Sequence, residues 1–129
     1  MDLTECIHND LFAKHVGIRL VETKEGYAKV EMDIHEYHLN GVRMVQGGAI
    51  FTLADYAFAA ASNSRGLLCI GVQNSISYFK SPKGKKLIAV AKEVSYGRKL
   101  CSYVIDVTDE NNERIAQMTA LGYLKQPKE

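Results

Sequence analysis

The stretch "LNGVRMVQGGAIFTLADYAFAAASNSRG", Leu39 to Gly66, decides the fold. It opens irregularly, passes through the adjacent glycines Gly47 and Gly48, and continues as an almost wholly apolar run with one carboxylate, Asp55, at its middle. Ile50, Leu53, Ala54, Ala57 and Ala61 recur at helical spacing, so Gly48 to Asn63 reads as a long helix. Its alanines let another layer approach the helix axis closely. That predicts a sheet curved around a helix rather than a flat layer laid on one.

On both sides of this run the apolar period becomes two. "IRLVETKEGYAKVEMDI" reads as two strands joined at Lys24-Glu25-Gly26, with Ala28, Val30, Met32 and Ile34 alternating against Tyr27, Lys29, Glu31 and Asp33. "LLCIGVQNSISYFK" is expected to put Ile70, Val72, Ile76 and Tyr78 on one face. "KLIAVAKEVSYG", "LCSYVIDV" and "RIAQMTALGYL" follow, separated by "SPKGK", Gly97 and "DENNE". Five to six strands joined by short turns make a largely antiparallel sheet, whose apolar face only the central helix can cover. Ahead of the sheet, Leu3 to His15 reads as one short helix carrying Leu3, Ile7, Leu11 and Phe12 on one side, ended by Gly17.

Composition bounds the rest. At 129 residues the chain suits a single domain, residues 1–129. Sixteen Lys and Arg against fifteen Asp and Glu leave a net charge of +1, which gives no field for nucleic acid. Cys6, Cys69 and Cys101 are odd in number and unpaired in spacing, as expected of reduced thiols in a cytoplasmic protein. "MDLTECIHND" has no apolar leader core, and no run approaches the roughly 20 apolar residues of a membrane span. Neither a serine-nucleophile elbow nor a phosphate-binding glycine loop is present. His35 and His38, in "HEYH", have metal-ligand spacing without a third ligand, and read as loop surface.

Chemistry concentrates in the long run. The first turn of a helix has amide N–H groups without internal partners and the positive end of the dipole. Gly47 and Gly48 either merely turn the chain into the helix or let a ligand oxygen reach those amides and become polarised. Asp55 has Phe51, Thr52, Phe58 and Ala59 as its helical neighbours. It is either a structural acid paired to a strand residue such as Lys92, or a covered carboxylate whose desolvation cost is kept for function. Gly47 and Asp55 lie eight residues apart, about 12 Å along a helix axis. One small reacting group cannot touch both in the same chain. If they cooperate, the amide and the acid come from different subunits, and Phe51 and Phe58 are covered at the same interface.

Together, "LNG", "VQ" and "GGAIFTLADYAFAAASNSRG", supported by "YAKVEMDI", "ISYFKSP" and "VSYGRK", strongly resemble the hotdog-fold acyl-CoA thioesterases of the phenylacetate-degradation, PaaI-like type over most of the chain. The resemblance implies an α+β hotdog fold: a curved antiparallel sheet of five to six strands around one long helix, in a homodimer or a dimer of dimers. It implies Asp55 as nucleophile or general base, the Gly47 N–H as donor to the thioester oxygen, and Asn40 as a positioning group from the subunit opposite Asp55. The family usually has His before the glycine pair; here Gln46 keeps hydrogen-bonding capacity but cannot carry a proton. Ala59 lacks a hydroxyl that some of these enzymes have. For the coenzyme, the family positions correspond to Lys80, Gly97, Arg98 and Lys99, with Lys83 beside them and Tyr78 lining the same channel, whereas Lys85 and Lys86 read as a solvated hairpin tip. The implied reaction converts acyl-CoA to free acid and CoA with no metal and no cofactor beyond the CoA of the substrate. The competing reading, drawn from Gln46, is a non-catalytic acyl-CoA-binding or sensing domain. A hotdog dehydratase fits less well, because the His-Phe-Pro-Gly segment of those enzymes is absent.

Overall fold

The computed structural model describes residues 3–126. Two short helices, α1 (Leu3–His8) and α2 (Leu11–Val16), precede strands β1 (Ile18–Lys24) and β2 (Tyr27–Asp33). A 3₁₀ turn (Glu36–His38) leads to the long helix α3 (Gly47–Ser62), and β3 (Cys69–Tyr78), β4 (Lys86–Tyr96), β5 (Leu100–Asp109) and β6 (Arg114–Leu124) complete the chain. The strands form one six-stranded sheet in the order β1-β2-β4-β5-β6-β3, antiparallel at every pairing. This is the hotdog arrangement, with α3 as the filling.

Alternation along the strands builds the core. Ala28, Val30 and Met32 of β2 are fully buried against Leu87, Ala89 and Ala91 of β4, and Ile105, Val107, Met118 and Leu124 continue the layer on β5 and β6. From α3 they receive Leu53, Ala54, Ala57 and Ala61, all inaccessible to solvent. Three of these four are alanines, which is what lets the concave sheet close around the helix. Phe58 is also buried, edge-on to Tyr103 with ring centroids 5.7 Å apart. Its cover therefore comes from its own chain rather than from a subunit interface. The same holds for Tyr56, whose hydroxyl donates to the Ile7 carbonyl at 2.9 Å.

Three expectations are corrected by local chemistry. The N-terminal helix is two helices, because the Asp10 side chain accepts the Ala13 N–H at 2.9 Å and starts a new helix there. Gly17 ends α2 in the left-handed region, as expected, but Leu11 and Phe12 stand 77% and 62% exposed. In β3 the period of two is interrupted: Gly71 pairs with Gly122 and Gln73 with Leu121, which leaves Val72 as a bulge. Cys69 and Gly71 therefore face inward before the bulge, and Asn74 and Ile76 after it, opposite the inward-facing Leu124, Gly122, Ala120 and Met118. Ile70 and Val72 are left exposed, on the face opposite Ile76.

His38 also departs from a surface reading. It is buried, with Nδ1 accepting the His35 N–H at 2.9 Å and Nε2 donating to the Val16 carbonyl at 2.7 Å. Its own carbonyl accepts the Gln46 N–H at 2.8 Å, so this histidine fastens α2 to the start of α3.

Candidate active site

The start of α3 is organised by its N-cap. The Gln46 side-chain oxygen accepts the Gly48 N–H at 2.6 Å, and the Gln46 carbonyl accepts the Ala49 N–H at 2.9 Å. Among the described residues the Gly47 N–H has no acceptor. It is the amide left to a ligand at the positive end of the helix dipole. The Tyr78 hydroxyl donates to the Gly47 carbonyl at 3.1 Å, and a Cβ at position 47 would lie 3.3 Å from the tyrosine ring. A side chain at position 47 would need the half-exposed Tyr78 ring to shift by a few tenths of an ångström.

Two open grooves flank this helix end. Gly48 faces one of 660 Å³, lined by Phe12, His15, Tyr37, Ala49 and Thr52. Gly47 faces a second of 350 Å³, lined by Met44, Ile50, Tyr78, Phe79 and Lys80. Asn40 closes the preceding loop: its side-chain oxygen accepts the N–H groups of Val42 and Met44 at 3.0 and 3.1 Å. Its amide nitrogen has no acceptor among the described residues, so the residue builds the turn and keeps a donor in reserve.

Asp55 sits two helical turns further on, half-buried. Its partner is Asn74 of β3, whose Nδ2 donates to Asp55 Oδ1 at 3.2 Å. Lys92 is exposed and makes no bond to the acid. Burial pushes the Asp55 carboxyl above the ordinary aspartate range; the Asn74 hydrogen bond opposes that rise, and the Asp10 charge adds to it. Asn74 escaped the sequence reading because its inward orientation depends on the bulge at Val72.

The residues expected to meet the coenzyme fall into two groups. Lys80 and Lys83 lie in the loop before β4, at the Gly47 end of α3, with Lys80 ion-paired to Glu113. Gly97, Arg98 and Lys99 form the turn after β4, where the Gly97 N–H donates to the Leu100 carbonyl at 2.8 Å. Between the two groups run the 11 residues of β4, about 35 Å of extended chain. They do not form one channel in a single protomer, and Tyr78 belongs with the first group only.

The thioesterase superfamily model matches residues 44–116, from the loop before Gly47 into β6. A protein of Archaeoglobus fulgidus named as a candidate esterase is 47% identical over 109 residues, which is 84% of this chain and 71% of that one. The acyl-coenzyme A thioesterase PaaI of Escherichia coli is 34% identical over 84% of this chain and 78% of its own. The solved structure of E. coli PaaI, from the phenylacetic acid degradation operon, superposes with a TM-score of 0.91 at 29% identity, covering 95% of this chain and 90% of that one. A Streptococcus mutans protein solved with acetyl-CoA bound superposes at 0.80 with 27% identity, over 84% and 89% of the two chains. The match spans the glycine-led helix, the acid within it and most of the sheet that encloses them. The chain accordingly belongs to the thioesterase superfamily, as a thioester hydrolase of the PaaI-like hotdog type.

Proposed function

We propose that this protein hydrolyses acyl-CoA thioesters at sites shared between two subunits. The observation that carries the proposal is the pairing of an unpartnered Gly47 N–H with a desolvated Asp55 too far along the same helix to serve the same carbonyl. The acyl-CoA thioesterase PaaI and the acetyl-CoA-bound relative support the substrate class.

In this reading the thioester oxygen accepts the Gly47 N–H of one subunit, which stabilises the negative charge that builds on it. Asp55 of the partner subunit either attacks the carbonyl carbon or takes a proton from the attacking water. With Asp55 as base, the water oxygen forms the new C–O bond, the C–S bond breaks and the proton passes to the departing CoA thiolate; with Asp55 as nucleophile, an acyl-aspartyl anhydride forms as the C–S bond breaks, and water then cleaves it to free acid and supplies the thiol proton. The donor that Asn40 keeps in reserve would act on the thioester or the water from the Gly47 side. Gln46 orients by capping α3, a task an amide performs without titrating, which favours turnover over mere binding.

The open edge of the sheet supports the assembly. β3 lacks a neighbour on one side, and pairing two copies of it about a two-fold axis is antiparallel. Such a dimer sets the Gly47 end of one protomer beside the opposite end of the other. It also brings Tyr78, Lys80 and Lys83 of one subunit toward the Gly97, Arg98 and Lys99 turn of its partner. The two groups then serve one coenzyme, and further pairing of dimers makes a tetramer.

The reading treats residues 1–129 as a single catalytic domain and needs no cofactor beyond the CoA of the substrate. It takes the three free cysteines as those of a cytoplasmic protein. No helix among the described residues is long and apolar enough to cross a membrane.

Mixing subunits tests this directly. Asp55→Asn and Gly47→Val proteins are each expected to be inactive in thiol release from a panel of short, medium, long and aromatic acyl-CoA substrates. Unfolded and refolded together, they regain about a quarter of wild-type activity, because half the dimers are mixed and each of those has one intact site. No recovery, or full activity in Asp55→Asn alone, would overturn the proposal.

A further inference from the structure

An unbroken β3 would point Gln73, not Asn74, at the helix, since Cys69 and Gly71 set the inward phase. The extra residue at Val72 reverses the phase. Bulges commonly re-aim one side chain beside an active site. Here the side chain re-aimed is an amide, and it meets the only carboxylate of α3.

The amide is poorly served by that position. Asn74 Oδ1 is buried with no donor, the one such side-chain atom among the described residues. A buried acceptor left without a partner is destabilising. Opposite it on β6 stands Ala120, and its inward neighbours on β3 are Gly71 and Ile76, so an apolar side chain would avoid that cost. Stability alone does not account for an asparagine here.

We propose that Asn74 is a positioning residue for hydrolysis: its amide N–H holds Asp55 Oδ1 and so turns Oδ2, which has no hydrogen-bond partner among the described residues, toward the thioester or the attacking water. The inference rests on Asp55 being the catalytic carboxylate. Electrostatics point the same way. The charged group acting on Asp55 is Asp10 at the N-cap of α2, which disfavours ionisation as burial does. The helical neighbours Phe51, Thr52, Phe58 and Ala59 carry no charge, nor does any residue of β3. The amide of Asn74 is the one contact that favours the ionised, reactive form.

The test compares Asn74→Val with Asn74→Thr, two strand-compatible side chains of nearly one shape that differ in a hydroxyl donor. Hydrolysis of the best acyl-CoA from the panel is followed across the pH range by loss of thioester absorbance. Because the carboxylate is the active form, activity falls as pH drops through the Asp55 pKa. Asn74→Val is expected to raise that acid limb by about one pH unit and to lower kcat about tenfold below it, with KM nearly unchanged. Asn74→Thr is expected to keep the limb near its wild-type position. A wild-type limb in Asn74→Val, or a loss equal at every pH, overturns the proposal. Should Asn74→Val fail to fold, Asn74→Asp replaces it: a second carboxylate raises the limb further, and an unmoved limb is again fatal. Asp55→Asn, run alongside, separates the two readings. Turnover in Asp55→Asn removes the role of Asp55 itself, whereas an inactive Asp55→Asn beside a wild-type-like Asn74→Val removes only that of Asn74.

Discussion

The two edges of the sheet invite comparison. β1 carries Arg19, Glu22 and Lys24, and Arg19 reaches across to Glu31 at 2.8 Å and Asp33 at 3.0 Å. β3 is three residues longer and carries no charged side chain. Each edge has a bulge at a valine, Val21 in one and Val72 in the other, exposed by 48% and 56%. Charge on an edge strand deters pairing with a second sheet, and β3 has none of that protection. Similar backbone irregularities thus sit on edges of opposite character: one is charged, and the other, where the acid and its asparagine lie, is not.

The strongest way to break this contrast is a pair of matched substitutions. If the proposed dimer forms through β3, Val72→Lys is expected to halve the mass of the smallest assembly seen by sedimentation and to lower thioester hydrolysis by about a hundredfold or more, because the proposed shared site would lose its second subunit. Val21→Lys on β1 should change neither. Equal effects from the two would erase the distinction between the edges.

A smaller effect sharpens the comparison from inside. The inner face of β3 is tightly joined to the core: a Cβ on Gly122 of β6 would fall 2.3 Å from Cys69 Sγ, 3.0 Å from Cys101 Sγ and 3.1 Å from Phe58. Gly122→Ala should destabilise the fold by about 1–3 kcal/mol in denaturant titration, and adding Cys69→Ala should recover part of that loss. The smallest effect belongs to the closed edge. The Arg19 hydrogen bond holds the Asp33 carboxyl below its usual range, so the pair stabilises at neutral pH and loses its effect as pH falls through that lowered pKa. Both groups are well exposed. Arg19→Gln should lower the thermal midpoint slightly at neutral pH, with the difference vanishing in acid and turnover unaffected.

Much of this was legible in residues. Ala28, Val30 and Met32, and the apolar spacing of α3, are uninterrupted periods, and uninterrupted periods translate directly into buried faces. The carboxylate among phenylalanines marked Asp55 as a covered acid, and it is half-buried against Asn74, although Phe58 beside it is covered by Tyr103 of its own chain. The break at Asp10 had a signal, an Asn-Asp pair ahead of a new apolar run. β3 was misread because the extra residue is valine, a good strand former that leaves no trace of the phase it changes. Asn74 was lost with it. The division of the coenzyme cations, by contrast, follows from counting the residues between the turns at the two ends of β4.

The bulge at Val72 also bears on how this strand tolerates insertions and deletions. Removing Val72 leaves a continuous strand in which Cys69, Gly71 and Asn74 still share one face. Removing Gln73 instead does the same, since Val72 then takes its place opposite Leu121. A lineage descended from this chain could therefore shed either Val72 or Gln73 without changing what faces the acid, whereas losing Gly71 would remove the glycine that faces Gly122.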